Sequence, residues 1–348
     1  MKKICAVIGA RPQFIKHAPF LMEAKGKLEI VSIHTGQHYD ANMSDIFFQQ
    51  LHITQPAYNL AIGSHSHAKQ TALMMMELES ILMKSRMDGL LVYGDTNSTL
   101  AGALVASKME IPIFHVEAGL RGDNKSLPEE VNRIITDRIS DLLFTPTDLA
   151  SANLKEEGIT NGVIQTGDIM YDMVNYASKL DSMFQIPTSA YYYCTTHRPY
   201  NVDHKNRLLE VLNALNGLSK KVIIPLHPRT KSSISNHQID INKFSNIEFV
   251  PPQSYLDNIS YIKHAEAVIT DSGGVQKEAY FLKKKCVTLR SETEWKETLK
   301  ENWNHLVFDN LNELQTKIDI QPGYYNPSFY GDGTAAEKIV KGIIEFLD

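Results

Sequence analysis

Short apolar runs alternate with longer helix-forming stretches along most of the chain, and the alternation starts twice. In the first half, Lys3–Ile8, Leu28–His34, Gly89–Tyr93 and Ile111–Val116 read as strands buried on both faces. The intervening spacing predicts a helix after Gly9-Ala10-Arg11-Pro12 running to Ala24. It predicts others at Met43–Leu51, Ala68–Lys84 and Ser98–Met109, and one beginning near Pro128, where proline suits a first helical turn. In the second half, Ser189–Cys194, Lys221–Leu226, Ile247–Val250, Glu266–Thr270 and Cys286–Leu289 read as strands with helices between them. A last helix is predicted over Ala335–Leu347. Such alternation predicts an α/β protein of two doubly wound parallel sheets facing a cleft, where a small molecule would bind. No Ser/Gly-rich linker separates the halves. The restart of the pattern puts the seam between Gly167 and Pro187, dividing the chain into 1–168 and 169–334.

Length and composition narrow the picture. The chain has 348 residues, about the size of two domains, with 43% hydrophobic and 22% charged residues. Its formal net charge of −5 gives no electrostatic case for nucleic acid or an anionic membrane. The cysteines, Cys5, Cys194 and Cys286, show neither a metal spacing nor a disulfide framework, which suits a reducing cytoplasm. No apolar run approaches the length of a membrane span.

Polar clusters follow the predicted strands, where open α/β sheets bind ligands. The one with the clearest physical meaning is Asp271-Ser272-Gly273-Gly274-Val275-Gln276-Lys277-Glu278. Two glycines stand where a strand turns into a helix, so an anion can approach amides that have no partner within the helix. Glu278 follows one turn later, within reach of a sugar hydroxyl. An ordinary turn capped by Ser272 would show the same residues. In the first half, Asp95, Glu117, Glu129 and Glu130 lie at or near strand ends. They can divide acid and base roles, or simply cap helices and pair with arginines, as Glu129 and Arg133 would at i and i+4. His34, His38, His115, His197 and His227 also fall at strand ends, without a metal-binding spacing. Arg11, Arg121, Arg133, Arg198, Arg229 and Arg290 would form cationic clamps if they converge. Gly9-Ala10-Arg11-Pro12 lacks the later glycines of a dinucleotide fingerprint, so no redox cofactor and no metal are expected.

These motifs occur together in a familiar order. Gly9-Ala10-Arg11-Pro12-Gln13-Phe14-Ile15-Lys16, Thr35-Gly36-Gln37-His38, Gly94-Asp95-Thr96, His115-Val116-Glu117-Ala118-Gly119-Leu120-Arg121, Pro128-Glu129-Glu130-Val131-Asn132-Arg133, His197-Arg198 and the 271–278 stretch resemble the non-hydrolysing UDP-N-acetylglucosamine 2-epimerases. The resemblance runs from about Ile4 to Ile339. It implies a glycosyltransferase-B-like fold of two Rossmann-like domains, with the last helix, 335–348, packing back on the first domain. It implies a cytoplasmic homodimer acting on a UDP-sugar for surface polysaccharide synthesis.

By motif, Ser272, Gly273 and Gly274 resemble diphosphate ligands, and Glu278 the ribose ligand. Arg11 and His197 resemble further diphosphate or sugar contacts, with Arg198 and Arg290 as neighbouring cations. Asp95, Glu117 and Glu129, together with His197, are the catalytic candidates, and Lys16 and Arg133 their ionic supports. The implied chemistry is elimination of UDP to a 2-acetamidoglucal and re-addition on the other face. Three stretches depart from the commonest pattern: Gln37-His38-Tyr39-Asp40, His197-Arg198-Pro199-Tyr200 and Glu292-Thr293-Glu294-Trp295-Lys296-Glu297. The last, with Asn97-Ser98-Thr99, is similar to a branch that includes epimerases of UDP-2,3-diacetamido-2,3-dideoxyglucuronate. That sugar is the alternative substrate, and a glycosyltransferase of the same fold is the alternative class.

Overall fold

The computed structural model describes residues 1–37, 54–122, 127–180, 187 and 189–348. The predicted helix Met43–Leu51, with His38, Tyr39 and Asp40, lies outside the described residues. The chain divides into two compact units, Met1–Met173 with Pro327–Asp348, and Val174–Asn326.

The first unit runs β1 (Lys3–Ile8), α1 (Arg11–Ala24), β2 (Glu29–His34), β3 (Tyr58–Asn59), α2 (His67–Leu82), β4 (Gly89–Tyr93), α3 (Asn97–Lys108), β5 (Ile113–Val116), α4 (Pro128–Ile139), β6 (Leu142–Thr145), α5 (Asp148–Glu156) and β7 (Val163–Gln165). Its strands form one parallel sheet in the order β3-β2-β1-β4-β5-β6-β7. The direction of winding reverses between β1 and β4. The loops that follow those two strands, Gly9–Ala10 and Gly94–Thr96, therefore open at the switch point, where such sheets place their ligands.

Helix α6 (Ile169–Ala177) leads into the second unit. There follow β8 (Tyr191–Thr195), α7 (Pro199–Val202), α8 (Lys205–Asn216), β9 (Lys221–Pro225), α9 (Pro228–Asn236), β10 (Ile247–Val250), α10 (Tyr255–His264), β11 (Ala267–Thr270), α11 (Gly273–Phe281), β12 (Lys285–Thr288), β13 (Asn304–Leu306) and α12 (Leu314–Asp319). The strand order is β10-β9-β8-β11-β12-β13, again parallel, with its switch point between β8 and β11. Thr196–Arg198 and Asp271–Ser272 are the loops at that point.

The continuous apolar runs are explained by burial on both faces. Alternate residues of one strand enter different cores. Tyr192, Cys194, Val222, Ile224 and Ile269 pack on one side of the second sheet, and Tyr191, Tyr193, Ile223 and Val268 on the other. In the first sheet Cys5, Val7, Leu90 and Val92 pack with Met74 and Leu78 of α2 and Ala101 and Val105 of α3.

The last helix, α13 (Ala335–Leu347), belongs to the first unit. It buries Ala335, Ala336, Ile339, Val340, Gly342 and Ile343, and Phe346 meets Phe114 edge-on with ring centroids 5.6 Å apart. Its first amides, Ala335 and Ala336, donate to Asp172 at 3.1 and 2.7 Å. Burial, chiefly, pushes the Asp172 carboxyl up to about 6 against those two bonds, and neighbouring Asp168 and Asp332 add to the rise.

Among the described residues, the predicted strands and helices at 3–34 and 68–116 match the observed elements closely. Strands β3, β6, β7 and β13 were not anticipated. They span only 2 to 4 residues each, too short for periodicity to separate them from apolar loop segments.

Candidate active site

In the first unit, Gln13 ties the β1–α1 loop to the β4–α3 loop. Its Oε1 accepts from the Gly9 and Ala10 amides at 2.7 and 3.1 Å, and its Nε2 donates to the Tyr93 carbonyl at 2.8 Å. That bracing fixes the start of α1, and hence Arg11 on its first turn and Lys16 one turn further on. Lys16 is buried and pairs through Nζ with Glu117 Oε2, itself only 8% exposed. The pair lies over Gly94, whose φ of 62° puts it in the left-handed region. A Cβ there would come within 3.1 Å of Glu117 Oε2 and 3.2 Å of Lys16 Nζ. Glycine is favoured there by backbone conformation, and a larger residue would also press on the ion pair.

A second ion-paired group stands beside it. Arg133 reaches from α4 to Asp95 Oδ2, and its Nη1 donates to Glu130 Oε2 at 2.8 Å. Glu130 also takes the Gly122 amide at 3.0 Å, and Asn132 donates to the Asp95 carbonyl at 2.8 Å. Asp95 remains 28% exposed, so it is held in place yet reachable. Glu129 is exposed at the start of α4, while the neighbouring Glu130 is buried. The pair anticipated between Glu129 and Arg133 is replaced by bonds from Arg133 to Glu130 and Asp95, because Arg133 faces the interior.

In the second unit, fully buried Asp271 organises the switch-point loops. Its carboxylate accepts from Thr196 Oγ1 at 2.8 Å, from the amides of His197 and Arg198 at 3.0 Å each, and from Asn201 Nδ2 at 3.1 Å. His197 is stacked on His227 with ring centroids 4.7 Å apart. Ser272 caps α11, its hydroxyl accepting from the Val275 amide at 3.5 Å. The Gly273 and Gly274 amides ahead of it start the helix, where its dipole favours negative charge. A Cβ on Gly273 would lie 3.0 Å from Glu294 Oε1, 3.5 Å from Trp295 Nε1 and 3.8 Å from Arg290 Nη1. The late departing motif thus packs directly against this helix terminus. Trp295 also covers the Lys277 ammonium, which lies 3.6 Å from its ring centroid. Arg290 holds Glu294 at 3.0 Å through Nη2, while Arg290 Nη1 and Arg198 Nε are buried without a hydrogen bond. Donors left unmatched in this way beside a helix N-terminus suit a polyanionic ligand. Glu278 is buried at 4% exposure on α11.

Two arginines grouped with these by sequence serve elsewhere. Arg121 is fully engaged with Asp137, Glu157 and the Leu120 carbonyl. Arg229 forms a two-bond pair with Asp203 on the exposed surface. Among the described residues no group of three or more His, Cys, Asp or Glu side chains is placed to hold a metal ion.

The family model described as UDP-N-acetylglucosamine 2-epimerase matches residues 21–344. The chain belongs to that family. A UDP-N-acetylglucosamine 2-epimerase homolog of Methanococcus maripaludis is 46% identical, covering 97% of this chain and 98% of its own length. The UDP-2,3-diacetamido-2,3-dideoxy-D-glucuronate 2-epimerase of Pseudomonas aeruginosa is 44% identical over 88% of each chain. The crystal structure of the Methanocaldococcus jannaschii UDP-GlcNAc 2-epimerase in complex with UDP-GlcNAc and UDP is 38% identical and superposes with a TM-score of 0.88, covering 99% of each chain. The fold is the two-domain α/β, glycosyltransferase-B-like type that the resemblance implied.

Sequence reasoning missed Gln13 and Asp137 as organising residues of this epimerase-family site, and it gave no organising role to Asp271, although that residue opens the stretch singled out. It named both Glu129 and Glu130, but nothing in a linear pattern tells which of two adjacent carboxylates faces inward. Asp137 lies 16 residues from its partner Arg121, a separation without periodic meaning.

Proposed function

We propose that this chain is a non-hydrolysing 2-epimerase that interconverts UDP-N-acetylglucosamine and UDP-N-acetylmannosamine. The observation that carries the reading is the pairing of two kinds of site at two sheet switch points. One is a glycine-started helix terminus with unmatched arginine donors, and the other is a set of cation-paired carboxylates. The first suits a leaving diphosphate, whose developing charge it would stabilise. The second suits removal and return of the proton on carbon 2 of the sugar. Ser272, Gly273, Gly274, Arg11, His197, Arg198 and Arg290 take the diphosphate in this reading, and Glu278 the ribose. Asp95, Glu117 and Glu129 stand nearest the reacting sugar, with Lys16 and Arg133 supporting them. UDP leaves to give a 2-acetamidoglucal and adds back after the proton has returned on the opposite face. The route needs no hydride acceptor.

The Pseudomonas relative and Trp295 at the helix terminus favour a second substrate, UDP-2,3-diacetamido-2,3-dideoxyglucuronate. Proton NMR in deuterium oxide tests both. With the true substrate alone, the epimer forms carrying deuterium at carbon 2 and at no other ring carbon. Retention of the original proton at carbon 2 rules the mechanism out. Turnover only when an acceptor sugar is added supports a glycosyltransferase instead. We further place the protein in the cytoplasm as a homodimer. Three buried free cysteines support the compartment, and exposed Leu127, Val131 and Ile134 along α4 support the assembly. Among the described residues no helix is long and apolar enough to cross a membrane.

A further inference from the structure

Behind the carboxylates lies a buried polar cluster that touches each of the loops carrying them. His115, on β5, is fully buried. One ring nitrogen, Nδ1, lies 2.7 Å from Asp137 Oδ1, and the other, Nε2, lies 2.8 Å from the Gly94 carbonyl oxygen. Asp137, on α4 and 1% exposed, uses its second oxygen to accept from the Gly119 amide at 3.1 Å and from Arg121 Nη1 at 2.7 Å. Arg121 is locked from outside by Glu157, its Nε and Nη2 each donating to that carboxylate at 2.7 Å. The bonds to His115 and Arg121 hold the Asp137 carboxyl below the usual carboxylate value, although burial opposes them.

The positions of these contacts matter. Gly94 immediately precedes Asp95. Gly119 follows Glu117 by two residues, and Asp137 stands one turn beyond Arg133 on the same helix. Glu117 itself has a φ of 71°, in the left-handed region that costs a non-glycine residue about 1–3 kcal/mol and persists only where surroundings impose it. Its amide and that of Ala118 both donate to the Phe144 carbonyl, at 3.0 and 3.1 Å, and Asp137 fixes the chain two residues on.

We propose that Asp137 and His115 are positioning residues for the epimerisation, acting through Glu117 and Asp95. Neither is a catalytic residue: both are buried behind the carboxylates. Asp137 imposes the strained turn that aims Glu117 at Lys16, and His115 joins that turn to the Gly94 loop, so the two carboxylates keep one fixed separation. A misplacement of about 1 Å at reacting groups can cost roughly 10²-fold in rate. The inference rests on the epimerase reading.

The test is a double-mutant cycle on kcat, with UDP affinity measured in parallel by calorimetry. Asp137→Asn should lower kcat at least tenfold while KM and the Kd for UDP change less than about threefold. Combined with Glu117→Gln, it should lower kcat little beyond Glu117→Gln alone, because the substitution acts through the same group. Losses that multiply independently would overturn the positioning role, as would equal changes in kcat and UDP affinity. If Asp137→Asn does not fold, His115→Gln takes its place in the cycle. A wild-type protein that turns over neither UDP-sugar sinks the epimerase reading instead. In that event a crystal structure of the variant decides the structural claim. Glu117 should leave its left-handed conformation, and an unchanged Glu117 and 117–121 turn would refute it.

Discussion

Glu117 shows how one side chain acquires its chemistry from its surroundings. A carboxylate 8% exposed needs a partner, and Lys16, itself 7% exposed, supplies it. Removing either half is not equivalent. Glu117→Gln keeps size and hydrogen bonding, so we expect kcat to fall by ~10²–10⁴ with UDP affinity unchanged in calorimetry. A matching loss of UDP affinity would show a binding role. Lys16→Met strands a buried charge and should lower the free energy of unfolding by ~3–5 kcal/mol in urea titrations. Glu278→Ala, in the other unit, should instead weaken UDP by ~1–3 kcal/mol. Unchanged UDP binding would remove Glu278 from the ribose site. At this scale the sequence was legible where a motif placed a residue at a strand end, as for Glu117 and Ser272. It was silent where orientation decides, as between Glu129 and Glu130. Asp271 illustrates the same limit, since its importance lies in four backbone and side-chain donors brought from the β8–α7 loop and α7.

Elements behave as the apolar pattern dictates when they are long enough to carry one. β1, β4 and β8 are five- or six-residue apolar runs and were readable, whereas β7, three residues with no buried position, exists because β6 offers it a ladder. Helix α11 was readable from its glycines, and its function depends on the space they leave. Gly273→Ala would set a methyl group 3.0 Å from Glu294 Oε1 at the mouth of the helix. We expect UDP affinity to drop at least tenfold in calorimetry with little change in melting temperature, and a variant binding as well as wild type would place the diphosphate elsewhere. The amino end of α13 gives a pH effect. Asp172 titrates near 6 in the folded protein against an ordinary value of 3.8. The folded state therefore keeps this proton to higher pH than the unfolded chain does. The stabilisation is fully present below the ordinary value and is lost as pH rises through about 6. From about pH 4 to about pH 7, wild type should lose on the order of 2–3 kcal/mol relative to Asp172→Asn in denaturant unfolding. Parallel pH profiles for the two proteins would contradict it.

At the scale of the whole molecule, each unit has one parallel sheet with one switch point, and within each unit that explains why candidate groups distant in sequence stand on neighbouring loops. The alternation of strands and helices made that organisation legible, whereas a homodimer is an expectation that comes only from resemblance. The structure adds a physical basis for it. Leu127, which caps α4, and Val131 and Ile134 on it stand at i, i+4 and i+7 and are 40, 45 and 38% exposed, although this helix buries its other face. Helix α4 packs beside α3, and α3 beside α2, where Met76 and Met83 are 65 and 76% exposed. Fully burying a Val, Leu or Ile side chain is worth about 1.5–3 kcal/mol, and these side chains retain somewhat less than half of that to gain. The stripe alone would then contribute a few kcal/mol to a symmetric contact. Two charges on the stripe should abolish that gain while leaving the interior untouched. We therefore expect wild type to sediment as a dimer and the Val131→Glu, Ile134→Glu double variant as a monomer with the same helical circular dichroism. The same helix carries Glu129, Glu130 and Arg133, so the monomer should also lose epimerase activity through loosening of Asp95's partner, while its UDP affinity in the other unit stays unchanged. A double variant that remains dimeric would move the interface off α4, and a wild type that sediments as a monomer at micromolar concentration would dismiss the homodimer altogether.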